Sequence, residues 1–292
     1  MLTEFAPAKI NLYLHITGRR QDGYHVLDSL VAFAGIGDEV RLKSAKSFDF
    51  AIEGPRAAEL KGAGAENNLV VRAAKCLAEL TGKPLDVRLV LIKNLPVASG
   101  IGGGSSDAAA VLRALATHWQ LEPNDPRILE AARLQGEDTP LCLAAESCYM
   151  GEGAEASREL PHADIVLANP GKPLSTAEVY KAYREGGFAF SPAARIDSAS
   201  PDAADLAAKL RKRRNDLMAP ALKLMPEIGK VLGAIESTGA LLARMSGSGA
   251  TCFGIYPDRG AAREAAAVLA KNPGWWVMQS HIPCQRDRRR RS

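Results

Sequence analysis

The sequence lacks the features of a membrane-embedded, secreted or zinc-stabilised protein. No apolar run in its 292 residues approaches the ~20 residues that a membrane span needs. The first segment, residues 1–9, has no apolar core of the kind found in a signal peptide. The five cysteines form no C-x-x-C pair, and no Cys/His cluster has the spacing of a zinc site. These absences predict a cytoplasmic protein with reduced thiols, no membrane partner and no metal held by a dedicated protein cluster.

The sequence also has little excess charge outside one short segment. Its formal net charge is +4, and the five arginines and one aspartate of residues 286–291 account for all of it. A protein that binds nucleic acid through its folded body would carry basic residues elsewhere as well. We therefore expect no nucleic-acid partner, and we interpret residues 286–292 as a solvated basic tail.

The remaining composition is that of a globular protein long enough for two domains. Hydrophobic residues make up 47% of the chain and charged residues 24%. The composition shifts after Tyr149, where residues 151–157 read as a linker or hairpin, and residues 186–206 read as a loop. We therefore predict domains at 1–155 and 156–285, followed by the tail. Periodicity predicts strands at 10–16, 26–33, 38–43, 85–92, 165–168, 241–245 and 252–256, and helices at 68–80, 107–117, 126–134, 228–235 and 261–269.

The most informative segment is the first glycine loop, residues 96–106, which reads Pro-Val-Ala-Ser-Gly-Ile-Gly-Gly-Gly-Ser-Ser. It follows a predicted strand and precedes a helix predicted to start near Ala108. Glycines let the backbone approach a ligand closely, and a helix N-terminus favours phosphate. The alternative is a flexible turn in which Ser-Ser-Asp only caps the helix. The loop lacks the Lys-Ser/Thr ending of a P-loop and is not a G-x-G-x-x-G dinucleotide fingerprint.

A second glycine loop lies at residues 246–250, Ser-Gly-Ser-Gly-Ala, between two predicted strands. One glycine loop is a common turn. Two of them, in different halves of the chain, predict a ligand clamped between domains.

These segments resemble the motifs of the GHMP kinases, the family of galactokinase, homoserine kinase, mevalonate kinase and phosphomevalonate kinase. Residues 96–106 resemble the family's phosphate loop, residues 246–250 its C-terminal glycine motif, and residues 6–14 (Ala-Pro-Ala-Lys-Ile-Asn-Leu-Tyr-Leu) its first motif. The resemblance implies an α+β fold of two domains. The N-terminal one would be a ribosomal-protein-S5-like α/β domain that binds ATP, and the C-terminal one a ferredoxin-like α+β domain.

Two further segments are similar to one branch of the family. They are Arg20-Gln-Asp-Gly-Tyr-His25 and Gly136-Glu-Asp-Thr-Pro140. This resemblance implies a kinase of non-mevalonate isoprenoid (terpenoid) biosynthesis that uses ATP and Mg²⁺. Its substrate would be a small molecule, a cytidine-diphosphate-linked methylerythritol, phosphorylated on the 2-hydroxyl.

The resemblance also implies roles for single residues. Asp138 would be the general base and Lys9 its partner, which stabilises charge on the transferring phosphoryl group. On the residues alone, Asp138 reads as a cap or turn residue and Lys9 as an exposed charge. Phosphates and water would hold most of the Mg²⁺, with Ser105 or Ser106 as further contacts. The ATP-binding residues implied are Pro96, Val97, Ala98, Ser99, Gly100, Ile101, Gly102, Gly103, Gly104, Ser105 and Ser106.

A cytidine base needs a stacking surface and polar partners. Tyr24 can stack, His25 and Asn11 can form hydrogen bonds, and Tyr180, four residues after Thr176, is the candidate for a second aromatic wall. The alternative readings are a plain hairpin turn for Tyr24 and His25 and a helix core position for Tyr180.

Several questions stay open at this point. Ala98 and Ser99 stand where the family often has Gly-Ala, and Ile101 where Leu is frequent. Residues 215–217 resemble a family segment. In this chain they are interpreted either as a nucleotide contact or as a solvated helix face. The second glycine loop orients a diphosphate or the surroundings of Lys9. The alternative functions are another kinase of the family, a nucleic-acid-binding module that uses the arginine tail, and a scaffold without catalysis.

Overall fold

The fold begins with two long strands, β1 (Leu2–Arg19) and β2 (His25–Ser44). The structure is a computed structural model that describes residues 1–21, 23–62, 64–151 and 157–284. Strand β2 joins the two strands predicted at 26–33 and 38–43, so that prediction of a break is wrong. Gly35 and Gly37 produced the apparent break. Both are needed inside the strand, since a Cβ on Gly35 would lie 2.5 Å from the His281 ring and a Cβ on Gly37 would lie 2.1 Å from the Ala6 carbonyl oxygen.

The other elements alternate between strands and helices. In the described residues, two short 3-10 turns at 57–60 and 65–67 precede the first α-helix. The strands are β3 (Asp49–Glu53), β4 (Val87–Ile92), β5 (Cys148–Met150), β6 (Ala163–Asn169), β7 (Leu242–Met245), β8 (Cys252–Tyr256) and β9 (Trp276–Ile282). The helices are α1 (Leu69–Thr81), α2 (Gly103–His118), α3 (Pro126–Gln135), α4 (Thr139–Ala144), α5 (Thr176–Glu185), α6 (Ala203–Arg211), α7 (Met218–Leu224), α8 (Glu227–Ser237) and α9 (Arg259–Leu269).

Helix ends follow from local capping chemistry. The Asn68 side chain accepts a hydrogen bond from the Val70 N–H at the start of α1, and Gly82 ends that helix in the left-handed conformation. Asp125 caps α3 in the same way, through the Arg127 N–H, with Pro126 in the first helical position. These caps confirm the predicted helices at 68–80 and 126–134.

The strands form two sheets. The first has the order β1-β2-β4-β3, and β5 also pairs with β2. In this sheet β2 and β4 are antiparallel, whereas β3 and β4 are parallel. The second sheet has the order β7-β8-β6-β9, with antiparallel pairing throughout. The predicted α+β class is therefore confirmed, with helices and a sheet in each half of the chain.

The chain divides into two compact units, each built from separated segments. The first unit contains Met1–Lys9, Ile36–Val97 and Gly102–Ala145. Its core packs α1, α2 and α3 against β2 and β4 through side chains such as Leu77 and Leu115.

The second unit contains Ile10–Gly35, Ala98–Ile101 and the chain from Glu146 onward. Leu14 and Ile16 of β1 lie in its core with Val166, Met245 and Cys252. The domain boundary at residue 155 stays a prediction. The tail 286–292, Asp22 and most of the linker at 151–157 lie outside the described residues.

Candidate active site

The first glycine loop ends in a helix whose start differs from the predicted one. Helix α2 begins at Gly103, inside the run of glycines, and Gly102 precedes it with a left-handed φ of 62° and no side-chain cap. Ser105, Ser106 and Asp107 therefore lie within α2 rather than ahead of it, and their interpretation as caps is wrong. The first turn of α2 leaves backbone N–H groups for an anion, as a phosphate site requires.

The middle of the first glycine loop contacts the second glycine loop. The Thr251 N–H donates to the Ser99 carbonyl oxygen at 3.0 Å, and the Ser246 hydroxyl donates to the Gly100 carbonyl oxygen at 3.0 Å. The contact is so close that a Cβ on Gly100 would lie 2.5 Å from the Ser246 carbonyl oxygen. The second glycine loop therefore holds the backbone of the first, a contact that the sequence did not indicate.

The two serines after the glycines have different surroundings. The Ser106 side chain is buried, and its hydroxyl donates to the Pro7 carbonyl oxygen at 2.8 Å. Ser105 is only partly buried. Ser106 thus ties α2 to β1, and Ser105 is the more accessible hydroxyl for a phosphate or a hydrated cation.

Lys9 and Asp138 form an ion pair in the first unit, with 2.9 Å between Lys9 Nζ and an Asp138 carboxylate oxygen. The Lys9 side chain is 6% exposed and that of Asp138 is 31% exposed. Asp138 directly precedes α4 but makes no capping hydrogen bond. It therefore does not act as a side-chain cap, and its carboxylate is paired with the ammonium group instead.

Glycine at position 102 makes room for Lys9. A Cβ at this position would lie 3.0 Å from both Cβ and Cε of Lys9. The aliphatic stem of Lys9 thus runs beside the start of α2. As a result, Lys9 of the first motif, the end of the glycine loop from Gly102 onward and Asp138 lie together in the first unit.

The predicted cytidine residues lie in the second unit, where His25 and Tyr180 form a stacked pair. Their ring centroids are 5.2 Å apart with an interplanar angle of 25°, and Tyr183 meets the His25 ring edge-on at 5.5 Å. Burial, followed by the charges of Arg184 and Arg19, lowers the pKa of His25 below its ordinary value, which favours a neutral imidazole. Tyr24 is 62% exposed.

Asn11 and Thr176 are engaged by neighbouring residues. The Asn11 amide nitrogen donates to the Ser29 hydroxyl at 2.8 Å, and its backbone N–H donates to the Ser246 hydroxyl. The Thr176 hydroxyl lies 2.8 Å from the hydroxyl of Ser248 in the second glycine loop. Both residues thus adjoin this loop.

The contacts of Asn215 exclude the interpretation of residues 215–217 as a solvated helix face. It is buried, and its amide donates to the Met245 and Gly247 carbonyl oxygens, both at 2.8 Å. The neighbouring Asp216 accepts from the Ile16 N–H at 2.7 Å. A solvated helix face is therefore wrong for this segment, which anchors the second glycine loop.

Among the residues that the structure describes, no group of three or more His, Cys, Asp or Glu side chains is arranged to hold a metal ion. Mg²⁺ bound with a nucleotide needs few protein oxygens because phosphates and water supply most of its ligands.

In the part of the chain that the structure describes, no helix is long and apolar enough to span a membrane.

Comparison with known proteins identifies the class. The models for the GHMP kinases N terminal domain and the GHMP kinases C terminal match residues 68–146 and 197–274. The chain belongs to the GHMP kinase family, and this confirms the resemblance drawn from its motifs and the fold that it implied.

Individual relatives narrow the comparison. The chain is 46% identical to 4-diphosphocytidyl-2-C-methyl-D-erythritol kinase of Paramagnetospirillum magneticum over 95% of this chain and 97% of that protein. It is 49% identical to the protein of the same name from Cereibacter sphaeroides, over 97% and 99% of the two chains. A crystal structure of 4-(cytidine 5'-diphospho)-2C-methyl-D-erythritol kinase matches with a TM-score of 0.77 and 33% identity, covering 97% of this chain and 100% of that one.

Proposed function

We propose that this protein transfers the γ-phosphate of ATP to the 2-hydroxyl of 4-diphosphocytidyl-2-C-methyl-D-erythritol, giving the 2-phosphate and ADP. The observation that carries the proposal is the Lys9–Asp138 ion pair beside the glycine-rich start of α2. The names of the relatives support the choice of acceptor. We further propose that the reaction occurs in the cytoplasm, where thiols such as the free cysteines of this chain stay reduced.

In this proposal Asp138 accepts the proton of the attacking hydroxyl. Phosphoryl transfer depends mainly on positioning and on stabilising charge, with a carboxylate that receives the proton. Asp138 is suited to this role because it is partly exposed and is not used as a helix cap. Lys9 holds the carboxylate in place and lies close to where charge develops on the transferring group.

The glycine loop would hold the phosphates of ATP through the backbone N–H groups at the start of α2. Mg²⁺ would be bound mainly by phosphate oxygens and water, with Ser105 as the accessible hydroxyl. When bound, Mg²⁺ neutralises phosphate charge. We assign the residues 96–106 to ATP on this basis.

Recognition of cytosine would rest on the aromatic pair in the second unit. The 5.2 Å between the His25 and Tyr180 centroids leaves no space for a third ring between them. The pyrimidine would therefore extend the stack from one outer face or displace His25 from Tyr180. Tyr24, Asn11 and Thr176 complete the proposed cytidine and acceptor contacts.

A substitution at Tyr180 tests this recognition. Tyr180→Ala is expected to raise KM for the cytidine-linked substrate about 5- to 150-fold, because stacking of a base on an aromatic ring contributes about 1–3 kcal/mol. KM for ATP should stay near its original value. Tyr180→Phe, which keeps the ring, is the matched control, and an unchanged KM in Tyr180→Ala would rule out stacking at this residue.

The function itself is tested by an assay of ATP consumption with four acceptors: the cytidine-linked methylerythritol, mevalonate, homoserine and galactose. We expect turnover with the first acceptor only. Turnover with one of the other three would identify a different kinase of the same family. No turnover with any of them, although ATP binds, would reject the proposed acceptor.

A further inference from the structure

A buried ionic cluster of the first unit adjoins the two ends of the first glycine loop. Lys93, which follows β4, places Nζ 2.5 Å from Asp38 Oδ2 and 2.8 Å from Asp107 Oδ2. The three residues are no more than 3% exposed. The cluster lies outside the Lys9–Asp138 pair, and nothing in the proposed chemistry uses it.

The cluster contacts the chain on both sides of the loop. Asp38 Oδ1 accepts hydrogen bonds from the backbone N–H groups of Asn94 at 2.5 Å and Leu95 at 2.8 Å, immediately before the loop begins. Asp107 follows the last residue of the loop and lies in the second turn of α2. Lys93 therefore links the two ends of residues 96–106 through a single ammonium group.

The ammonium group is also next to the proposed phosphate site. A Cβ on Gly103, the first residue of α2, would lie 3.1 Å from Lys93 Nζ. The charged group thus packs directly against the helical turn whose N–H groups would bind the phosphates of ATP in the proposed function. A shift of Lys93 would move that turn.

Stability alone does not explain this arrangement. Burying one ammonium with two carboxylates is costly, and ion pairs of this kind are often no more stable than an apolar replacement. Asp107 Oδ1 is buried and has no hydrogen-bond partner among the described residues, which adds to the cost. Burial, opposed by Lys93, raises the pKa of Asp107 to about 7.

We infer that Lys93, Asp38 and Asp107 form a positioning cluster that holds both ends of the glycine loop in the conformation that binds the phosphates of ATP. This inference rests on the proposed function, because it assigns ATP to the loop. The cluster does not touch the reacting atoms. It sets the affinity for the nucleotide rather than the rate of phosphoryl transfer.

The test is the substitution Lys93→Met, which keeps much of the side-chain length and removes the charge. We expect the Kd and KM for ATP to rise about tenfold or more, while kcat at saturating ATP and KM for the acceptor change less than about threefold. Asp38→Asn should weaken ATP binding similarly, because one amide cannot serve both Lys93 and the two backbone N–H groups. Asp107→Asn keeps an acceptor oxygen for Lys93 and should weaken ATP binding less than Lys93→Met does.

Arg113→Met is the matched control. Arg113 also ties α2 to its surroundings, through Glu4 and the Phe5, Cys142 and Leu143 carbonyl oxygens, but at the middle of the helix. We expect it to lower the melting temperature without changing the Kd for ATP. If Arg113→Met weakens ATP binding as much as Lys93→Met, the cluster is only structural and the inference is wrong.

The ATP Kd, measured by calorimetric titration of the full chain, separates this inference from the proposed function. A wild-type protein that binds ATP but phosphorylates no acceptor would reject the function and leave the cluster testable through Kd. If Lys93→Met does not fold, the ATP Kd values of the two aspartate variants decide. The inference requires that Asp38→Asn weakens ATP binding more than Asp107→Asn does. An unchanged ATP Kd in Asp38→Asn, or in a folded Lys93→Met, overturns the inference.

Discussion

At the scale of single residues, the chemistry depends on partners that are far apart in the sequence. Lys9 and Asp138 are 2.9 Å apart in space, although the pattern around each of them is ordinary. A lysine in a strand and an aspartate before a helix have common structural explanations. The similarity to a family of kinases was needed to single out this pair from the sequence, and the roles of the two residues stay proposals.

Substituting the proposed base gives the most direct prediction at this scale. Asp138→Asn should lower kcat by about 10²- to 10⁴-fold, the usual contribution of a general base. The ATP Kd should stay near the wild-type value, because the glycine loop is left intact. Glu137→Gln makes the same chemical change at the exposed neighbouring residue and serves as the control. A kcat near the wild-type value in Asp138→Asn would show that Asp138 is not the base.

At the scale of elements, the two glycine loops depend on each other. Ala98 and Gly100 both have positive φ angles, 49° and 76°, and the second glycine loop packs directly on Gly100. Alanine at position 98 tolerates this conformation less well than glycine would. The short segment 98–101 is therefore fixed by its contacts more than by its own preferences.

A pair of glycine substitutions tests this dependence. Gly100→Ala places a methyl group 2.5 Å from a backbone oxygen at positive φ, so we expect a loss of about 2 kcal/mol or more in the free energy of unfolding. Gly233→Ala is the control, because it lies within α8 with no heavy atom within 4 Å of the added Cβ. It should stabilise the protein by about 0.5–1 kcal/mol. Equal effects in denaturant unfolding would show that the two loops do not pack as described.

The predictions for elements succeeded where local chemistry decides and failed where distant contacts decide. The helices predicted at 68–80 and 126–134 are present, and Asn68 and Asp125 cap them through N–H groups only two residues away. The break predicted within β2 and the late start predicted for α2 both came from reading glycines as interruptions. Each of these glycines meets a residue far away in the sequence, such as His281 or Lys9, which a local pattern cannot contain.

At the scale of the whole molecule, the units do not follow the order of the chain. The second unit takes Ile10–Gly35 from near the start and combines it with residues beyond 145. Leu14 and Ile16 are at most 3% exposed because they pack in a core built mainly from the C-terminal half. Strands β1 and β2 each contribute to both units.

This composition predicts the behaviour of separated halves. A fragment of residues 156–292 lacks Leu14, Ile16 and segment 98–101, so it should show no cooperative thermal unfolding in circular dichroism. A fragment of residues 1–155 should expose the apolar residues of β1 and bind a hydrophobic dye. Cooperative melting of the 156–292 fragment would mean that its core is complete without β1.

The path of β1 through both units also has a consequence during synthesis. Its apolar residues leave the ribosome early, whereas strands β7 and β8, whose side chains cover them, come more than 200 residues later. At about 5–20 residues per second, translation needs roughly 10–40 s to supply them. Over that interval Leu14 and Ile16 lack their final partners and are open to chaperone binding. A nascent chain of this protein should therefore depend on chaperones more than the nascent chain of a protein whose domains are completed in chain order.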